Sequence, residues 1–341
     1  MWLKEWQQVS AHFPLQQRED WPLAGAAQQG ILLRLDSIGQ QEVAHVGVRL
    51  HRLRSLPGAW YLQVPKLGVG IPEWAVQATM LALRELAARW WRVARVRIEL
   101  CLLGNPDMLA EFEREAKKQG YSVVPPLEYE HTLVVPLPET ADQALIQFHR
   151  SVFKNTRKLE RAGHAIRPIT DQRYFDRLAA LYAETMSRTG ARVDTPDMVA
   201  VIRSAAQRPD RYHLLGLFHK GDDNPESLMA FRWCGRAGCY AFDLLAASTR
   251  LVDESGQIPM MPAIMLDMFG WARELGATHF DFGGVVLDGD LQGSAVAGIS
   301  RFKMQFGGNV ARVGSDLLLE PRLGWRILDR AQRIVRRRIE N

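Results

Sequence analysis

The stretch Trp271-Ala-Arg-Glu-Leu-Gly-Ala-Thr-His-Phe-Asp-Phe-Gly-Gly284, followed by Arg301-Phe-Lys-Met-Gln-Phe-Gly-Gly308, decides the reading of the fold. Its first half reads as the end of a helix over residues 262–275. Gly276 stops that helix, because glycine takes the left-handed closing conformation without a Cβ penalty. His279-Phe-Asp-Phe reads as a strand running into Gly283 and Gly284. In the second half Lys303 stands between large aromatics and close to glycines. A buried or partly buried lysine in that setting can stabilise an oxyanion in a water-poor site. The same residue also fits a salt-bridged position on a strand edge or helix face.

Upstream of this stretch, Tyr212-His-Leu-Leu-Gly-Leu-Phe, Ser227-Leu-Met-Ala-Phe-Arg-Trp and Cys239-Tyr-Ala-Phe-Asp-Leu-Leu read as a strand meander. A helix over 171–188 and another opened by Thr195-Pro196 precede it. Before those, strand His131-Thr-Leu-Val-Val leads into Thr140-Ala-Asp-Gln143, a capping-box helix start. Leu145, Phe148, Val152 and Leu159 would form the apolar stripe of that helix. The first part of the chain follows a similar plan. A short helix over 1–8 precedes Ile31-Leu-Leu-Arg-Leu and Val43-Ala-His-Val-Gly-Val-Arg, which flank Ser37-Ile-Gly-Gln-Gln as a hairpin. Trp60-Tyr-Leu-Gln-Val is a third strand. It runs through Pro65-Lys-Leu-Gly-Val-Gly into a helix with Pro72 at its first position, where a missing N–H costs nothing. Val76, Met80, Leu83, Ala87 and Trp90 share one helical face. Strand Arg95-Val-Arg-Ile-Glu-Leu and a helix over 106–119, stopped by Gly120, complete the block. Both blocks run meander, glycine or polar loop, helix, strand, helix. That order predicts a duplicated α/β (α+β) domain, each copy a mixed twisted sheet flanked by helices.

Composition narrows the classes. The chain has 341 residues, 47% of them hydrophobic and 24% charged, which is ordinary globular composition. Lysine and arginine total 43 against 38 acidic residues, a formal charge of +5. That mild excess permits an anionic partner without demanding one. No apolar run reaches the ~18 residues of a membrane span, and the first residues carry charge and glutamine where a signal peptide needs an apolar stretch. Cys101, Cys234 and Cys239 are too few for a disulfide framework and fit a reducing cytoplasm. The nine histidines show no metal-ligand spacing, so no metal is expected.

Two basic stretches and one loop carry further candidates. Arg150, Lys154, Arg157, Lys158 and Arg161 project from one side of one helix. A one-sided row of cations suits a phosphate backbone, since each neutralised phosphate releases counterions; it equally suits a solvated helix face. A C-terminal helix over 321–339 alternates an apolar stripe with arginines, fitting either docking on the core or an anionic membrane or RNA. Lys66, Gly68 and Gly70 lie between a strand and a helix, where glycines let backbone N–H groups approach an anion.

The chain resembles the FemABX peptidyltransferases, the aminoacyl-tRNA-dependent ligases of peptidoglycan cross-bridges within the acetyltransferase-like (GNAT) superfamily. The resemblance runs through Tyr61 to Gly70, Gly120-Tyr-Ser-Val-Val, His131-Thr-Leu-Val-Val-Pro-Leu and Phe153-Lys-Asn-Thr-Arg-Lys-Leu-Glu-Arg-Ala-Gly-His. It is closest in the stretch ending at Gly284 and in Phe302-Lys303-x-x-Phe306-Gly307. The long helical arm of some members is missing, and the Gly-Pro turn of the first domain reads Gly68-Val-Gly-Ile-Pro72. The resemblance implies two tandem GNAT-like domains over 1–130 and 131–317, with 318–341 returning to the first. It implies a non-ribosomal aminoacyltransferase that moves an amino acid from aminoacyl-tRNA to the side-chain amine of a peptidoglycan precursor, UDP-MurNAc-pentapeptide or lipid II. No resident cofactor is implied, with aminoacyl-tRNA as co-substrate. Lys303 would stabilise the oxyanion or the tRNA 3′ end, Phe302 would shape the channel, and Asp281 is a candidate base. Gly283 and Gly284, with Lys66, Gly68 and Gly70, would contact substrate, and Arg150, Lys154, Arg157, Lys158 and Arg161 the tRNA. The implied location is cytoplasmic, with peripheral contact at the inner membrane leaflet. Two alternatives stay open. One is an N-acyltransferase using acyl-CoA or an acyl carrier protein. Pro65 occupies the first position of the acetyltransferase CoA loop, and the matching loop over 249–261 has no Gly-x-Gly, which argues against it. The other is a non-catalytic RNA- or membrane-binding protein.

Overall fold

A computed structural model describes residues 29–37, 42–53, 56–69, 71–102, 106–127, 129–190, 195–253, 256–287, 295–325 and 327. The expected helix over 1–8, Gly70 and most of the C-terminal helix lie outside these residues. The chain divides into two compact units. Among the described residues, those up to Glu130 and from Arg312 onward form the first, and those from His131 to Ala311 form the second.

The first unit is built on a six-stranded sheet. β1 (Gln29–Asp36) and β2 (Val43–Arg52) form an antiparallel hairpin, and Ser37 N–H donates to Glu42 O at 2.9 Å to close it. β3 (Trp60–Leu67) pairs antiparallel with β2. α1 (Glu73–Arg89) then crosses to β4 (Val93–Leu100), which runs parallel to β3. Four of the five expected stripe residues, Val76, Met80, Leu83 and Ala87, are buried on this helix, while Trp90 lies past its end as an extended C-cap with φ −92° and ψ 96°. Pro72 is the N-cap rather than the first helical residue, because its ψ of 155° keeps it extended. α2 (Pro106–Lys118) ends as Gly120 predicts. With φ at 88°, Gly120 N–H bonds Lys117 O at 3.1 Å and Tyr121 N–H bonds Ala116 O at 2.9 Å. Those two bonds satisfy carbonyls that a helix end otherwise leaves open. β5 (Ser122–Val124) follows. The last described strand, Asp316–Leu319, lies between β4 and β5, antiparallel to both. Beyond it the Trp325 indole donates to Trp91 O at 3.0 Å.

The second unit has a seven-stranded sheet. In chain order it contains β6 (His131–Pro136), α3 (Ala141–Gln147), α4 (Arg150–Arg161), β7 (Ala165–Pro168), α5 (Phe175–Thr189), α6 (Met198–Gln207), β8 (Tyr212–Phe218), β9 (Leu228–Ala237) and β10 (Tyr240–Ser248). β11 (Leu251–Asp253), β12 (Gly256–Ile258), α7 (Met261–Glu274), β13 (His279–Gly284), α8 (Ala295–Met304) and β14 (Asn309–Arg312) follow. The strand order is β14-β6-β13-β10-β9-β8-β7. β7 to β10 form the antiparallel meander, and β10 with β13 is a parallel pair.

The capping box is present: Thr140 accepts from Gln143 N–H while the Gln143 side chain accepts from Thr140 N–H. The helix it opens is shorter than the sequence suggests. Phe148 leaves helical geometry at φ −91°, ψ 143°, so a single expected helix becomes α3 and α4. Leu145, placed on the apolar stripe, is 53% exposed. Tertiary contacts make the break. His149 N–H donates to Gln305 O at 2.7 Å, and the Phe148 ring packs edge-on against Phe306 with centroids 5.4 Å apart. Two other starts shift slightly. Residues 172–174 form a 3-10 turn ahead of α5, and Asp197, rather than Thr195, caps α6 by accepting from Ala200 N–H at 3.0 Å.

Phe148, Phe269, Phe280, Phe282 and Phe306 are all buried in this unit. Phe306 touches Phe148, Phe269, Phe282 and Phe302 with centroids 5.2–5.5 Å apart. Each such pair is worth about 0.5–1.5 kcal/mol beyond area burial, so this cluster anchors the C-terminal end of α8. The glycines after Phe306 let the chain pass close to β6. Gly308 has φ 90°, and a Cβ there would lie 2.4 Å from Val134 O. Gly308→Ala is therefore expected to lower the thermal midpoint by several degrees or more, combining a backbone clash with left-handed strain of roughly 1–2 kcal/mol. Differential scanning calorimetry of the purified variant checks this.

Candidate active site

β10 and β13 pair only through Tyr240, Ala241 and Phe242 against His279, Phe280 and Asp281. Beyond these residues β10 continues along β9 and β13 along β6, so the sheet opens at the carboxyl ends of its parallel strands. Such openings are where α/β sheets bind ligands. A register shift between Asp243 and Leu245 adds a bulge, a device that re-aims side chains. A cavity of about 670 Å³ lies in this region, with walls that include Arg232, Asp243, Met260, Ile299, Phe302 and Lys303. Gly298, Ile299, Phe302 and Lys303 line it from one face of α8, as three- and four-residue helical spacing requires.

Lys303 is 9% exposed, and its Nζ donates to Gly284 O at 2.7 Å. No carboxylate pairs with it at ion-pair distance among the described residues. Of the two settings the sequence allows, the structure shows the buried one. Burial pushes its pKa down, while the Asp243 carboxylate pulls it up, Arg232 adds to the lowering and Asp281 pulls up again. The result is a desolvated cation with partial compensation and a carbonyl to orient it. Asp281 is buried, and its Oδ1 accepts from Thr132 Oγ1 and from Gly283 N–H at 2.8 Å. Gly283 has φ 69°, so Asp281 braces the turn that aims Gly284 O at Lys303. The structure thus brings together Asp281, Gly283, Gly284, Phe302 and Lys303.

Two further charged residues belong here that the sequence reading does not single out. Arg232 on β9 and Asp243 on β10 form an ion pair at 3.0 Å, with side chains 4% and 12% exposed. Arg232 NH1 also lies 2.8 Å from Met265 Sδ, and its guanidinium sits 5.5 Å from the Phe302 ring centroid. Phe302 therefore presses on a buried cation, a favourable contact between charge and ring face. The available signal is an arginine in the middle of Leu228-Met-Ala-Phe-Arg-Trp-Cys and an aspartate in Tyr240-Ala-Phe-Asp-Leu-Leu. A charge inside each of two neighbouring apolar strands requires a partner, and the hairpin supplies it.

The other candidates lie elsewhere. Lys66 and Gly68 belong to the first unit. Lys66 is buried with φ 52°, and its Nζ donates to the Tyr129 hydroxyl at 2.8 Å. Gly68 is required by packing: a Cβ would stand 2.8 Å from Cys101 O. Gly70 lies outside the described residues. On α4, Arg150, Lys154, Arg157 and Arg161 are exposed and Lys158 is half-buried, with Val152 and Leu159 turned into the core. Among the described residues no group of three or more His, Cys, Asp or Glu could hold a metal ion. No described helix is long and apolar enough to cross a membrane.

The architecture is two units, each a mixed sheet flanked by helices. The fold resembles that of FemX, with a TM-score of 0.70 at 16% identity over 93% of this chain and 95% of that one. The C-terminal domain (DUF2156) of a putative lysylphosphatidylglycerol synthetase from Agrobacterium fabrum aligns with a TM-score of 0.55 at 13% identity, over 96% of this chain and 95% of that one. L-PGS from Bacillus licheniformis aligns at 0.51 and 12% identity, over 89% and 88%. No protein-family model matches the sequence, and no curated protein matches it. At these identities the likeness is one of fold.

The Arg232–Asp243 pair gives a direct test of the site's construction. Arg232→Met leaves a carboxylate buried without its partner and is expected to cost about 3–5 kcal/mol. The double change Arg232→Met with Asp243→Leu is expected to recover most of that loss. Urea unfolding midpoints of the two variants and the parent read the difference.

Proposed function

We propose that this protein is a non-ribosomal aminoacyltransferase that moves an amino acid from aminoacyl-tRNA to the side-chain amine of a peptidoglycan precursor stem peptide. The observation that carries this reading is Lys303: a desolvated ammonium, oriented by Gly284 O, at the wall of a 670 Å³ cavity in a chain that folds like FemX. The acceptor amine attacks the ester carbonyl carbon, and the carbonyl electron pair moves to oxygen. Lys303 donates a hydrogen bond to that oxyanion. Collapse of the tetrahedral species expels the 3′-oxygen of the terminal ribose, which leaves as a hydroxyl with the proton the amine gives up. The ester is already activated, so positioning and charge stabilisation account for the acceleration. Phe302 shapes the cavity and holds Arg232. Asp281 is occupied by the Gly283 turn and serves in this scheme as a brace rather than as the proton acceptor. Lys66 and Gly68 are accounted for by their own packing and carry no weight in it. The exposed cations of α4 are the phosphate contacts for tRNA.

The test is transfer of radiolabelled amino acids from charged total tRNA onto UDP-MurNAc-pentapeptide and lipid II, with and without RNase. RNase-sensitive incorporation is the expected result. Incorporation into phosphatidylglycerol instead, the lipid named for the Agrobacterium relative in fold, would keep the donor and change the acceptor. Turnover of acyl-CoA or acyl carrier protein without RNase-sensitive transfer would replace the reading with N-acyl transfer. Lys303→Ala is expected to lower kcat by about 10²–10³, the usual effect of removing one oxyanion donor, with an unchanged circular dichroism spectrum.

The α4 cations predict a separate effect. Changing Arg150, Lys154, Arg157 and Arg161 to Gln is expected to raise KM for aminoacyl-tRNA while leaving kcat nearly unchanged. The slope of log affinity against log salt should fall by about 0.7–0.9 for each phosphate that is no longer neutralised. Filter binding across a sodium chloride series measures it.

A further inference from the structure

The charged side chains that line the cavity are Arg188, Arg232, Asp243, Arg250 and Lys303. Asp243 is matched by Arg232 at 3.0 Å. Arg188 is matched by Glu184, one turn back on α5, at 3.4 Å. Lys303 and Arg250 have no carboxylate at ion-pair distance among the described residues. The cavity therefore carries uncompensated positive charge. For Lys303 the answering charge is the one that develops on the ester carbonyl. That charge is transient, and it does not account for Arg250. An aminoacyl group brings no standing anion either, since its α-nitrogen adds a further positive charge.

Arg250 is exposed and lies two residues past Ser248, the last residue of β10. Ser248 also fastens the end of α5. Its N–H donates to Thr185 Oγ1 at 3.1 Å, and its carbonyl accepts from Arg188 Nη2 at 3.0 Å. Arginines from two different elements are thus gathered where β10 ends. Arg188 also favours the last turn of its helix through the dipole, whereas Arg250 has no structural duty among the described residues. Lys303 stands at the other end, within the influence of Asp243. From Asp243 to Ser248 the strand covers about 15 Å at the usual rise per residue. Ala246 and Ala247 lie along this length and line the cavity with small side chains. Thr249 and Gln257 add uncharged donors to the wall. Guanidinium forks with hydroxyl and amide donors beside them suit a phosphate, whose oxygens accept from several directions.

We propose that Arg188 and Arg250 form a phosphate subsite, which holds a phosphate of the donor's 3′-terminal nucleotides while Lys303 meets the ester at the other end of the cavity. This rests on the aminoacyl-transfer reading above and gives the donor a direction: nucleotide towards the ends of α5 and β10, acyl group towards α8. The diphosphate of coenzyme A offers the same chemistry, so the test separates the two sources.

The test uses the full chain and two stable probes: 3′-deoxy-3′-(L-alanylamino)adenosine, an amide analogue of the aminoacyl-tRNA 3′ end, and its 5′-monophosphate. Isothermal titration calorimetry at neutral pH and fixed salt is expected to show the phosphorylated probe binding about tenfold tighter or better, as one or two charge-assisted hydrogen bonds imply. Arg250→Gln is expected to bring the two affinities to within about threefold, with Arg188 still in place. Arg203→Gln removes an exposed cation on α6 away from the cavity, and the ratio is expected to stay at its original value. Equal affinity of the unmodified protein for both probes, or no binding of either, overturns the subsite without need of a variant. An equal fall of the ratio in Arg203→Gln also overturns it, since the preference would then come from the net charge of the surface. Binding of coenzyme A that Arg250→Gln weakens, without RNase-sensitive transfer, keeps the subsite and removes the transfer reading. RNase-sensitive transfer with a probe ratio of one does the reverse.

Discussion

Two parallel strands that pair over three residues and then part set the constraint on which the second unit depends. Separating β10 from β13 after Phe242 and Asp281 uncovers backbone groups that the ladder would have satisfied, and buried backbone groups must find partners. The partners are side chains and neighbouring strands. Gly284 O takes Lys303 Nζ, Gly283 N–H takes Asp281, Val286 N–H takes Ser300 Oγ at 3.0 Å, and Val285 N–H takes His131 O at 2.9 Å. The residues of the candidate site are thus also the residues that make the opening tolerable. Lys303 is held in place by that same duty, its Nζ fixed on Gly284 O.

The first unit contains a comparable parallel pair joined by a helix, β3-α1-β4, and treats it differently. There the pairing resumes after a shift, with Leu67 opposite Leu100, and Cys101 N–H donates to Leu67 O at 2.7 Å. Gly68 permits that approach because a side chain would strike Cys101 O. The strand ends that part in the second unit stay in contact in the first. One architecture used twice therefore need not give two equivalent sites.

Around Lys303, the second unit concentrates charge where most cores have none. Lys303, Arg232 and Asp243 are all nearly buried, and a buried pair is weak evidence for stability, because desolvation offsets the attraction. Replacing such groups with hydrophobic residues is often neutral or stabilising. These three stand beside the cavity, with Arg232 wrapped by Phe302 and a sulfur from Met265. The aromatic cluster around Phe306 adds packing support, fixing the end of α8 from which Phe302 and Lys303 project.

Much of this is legible in the sequence wherever the determining physics is local. The capping box at Thr140 and Gln143, the helix stop at Gly120, the β1–β2 hairpin and the buried stripe of α1 each follow from residues a few positions apart. Lys303 is legible as a lysine among aromatics, and Gly283 and Gly284 as the end of a strand. The break at Phe148 is not, because it is made by Phe306 and Gln305, more than 150 residues away. Nor is the need for glycine at position 68, which comes from Cys101 just past the end of β4, or the Arg232–Asp243 pair, which exists only once β9 and β10 fold together. The sequence by itself determined most of the longer helices and strands and their repetition as two α/β blocks, since periodicity and capping act over one or two turns of chain. Only the tertiary structure decided where the sheet opens and which charges face the opening, since those depend on strand pairing and desolvation between residues far apart in the chain.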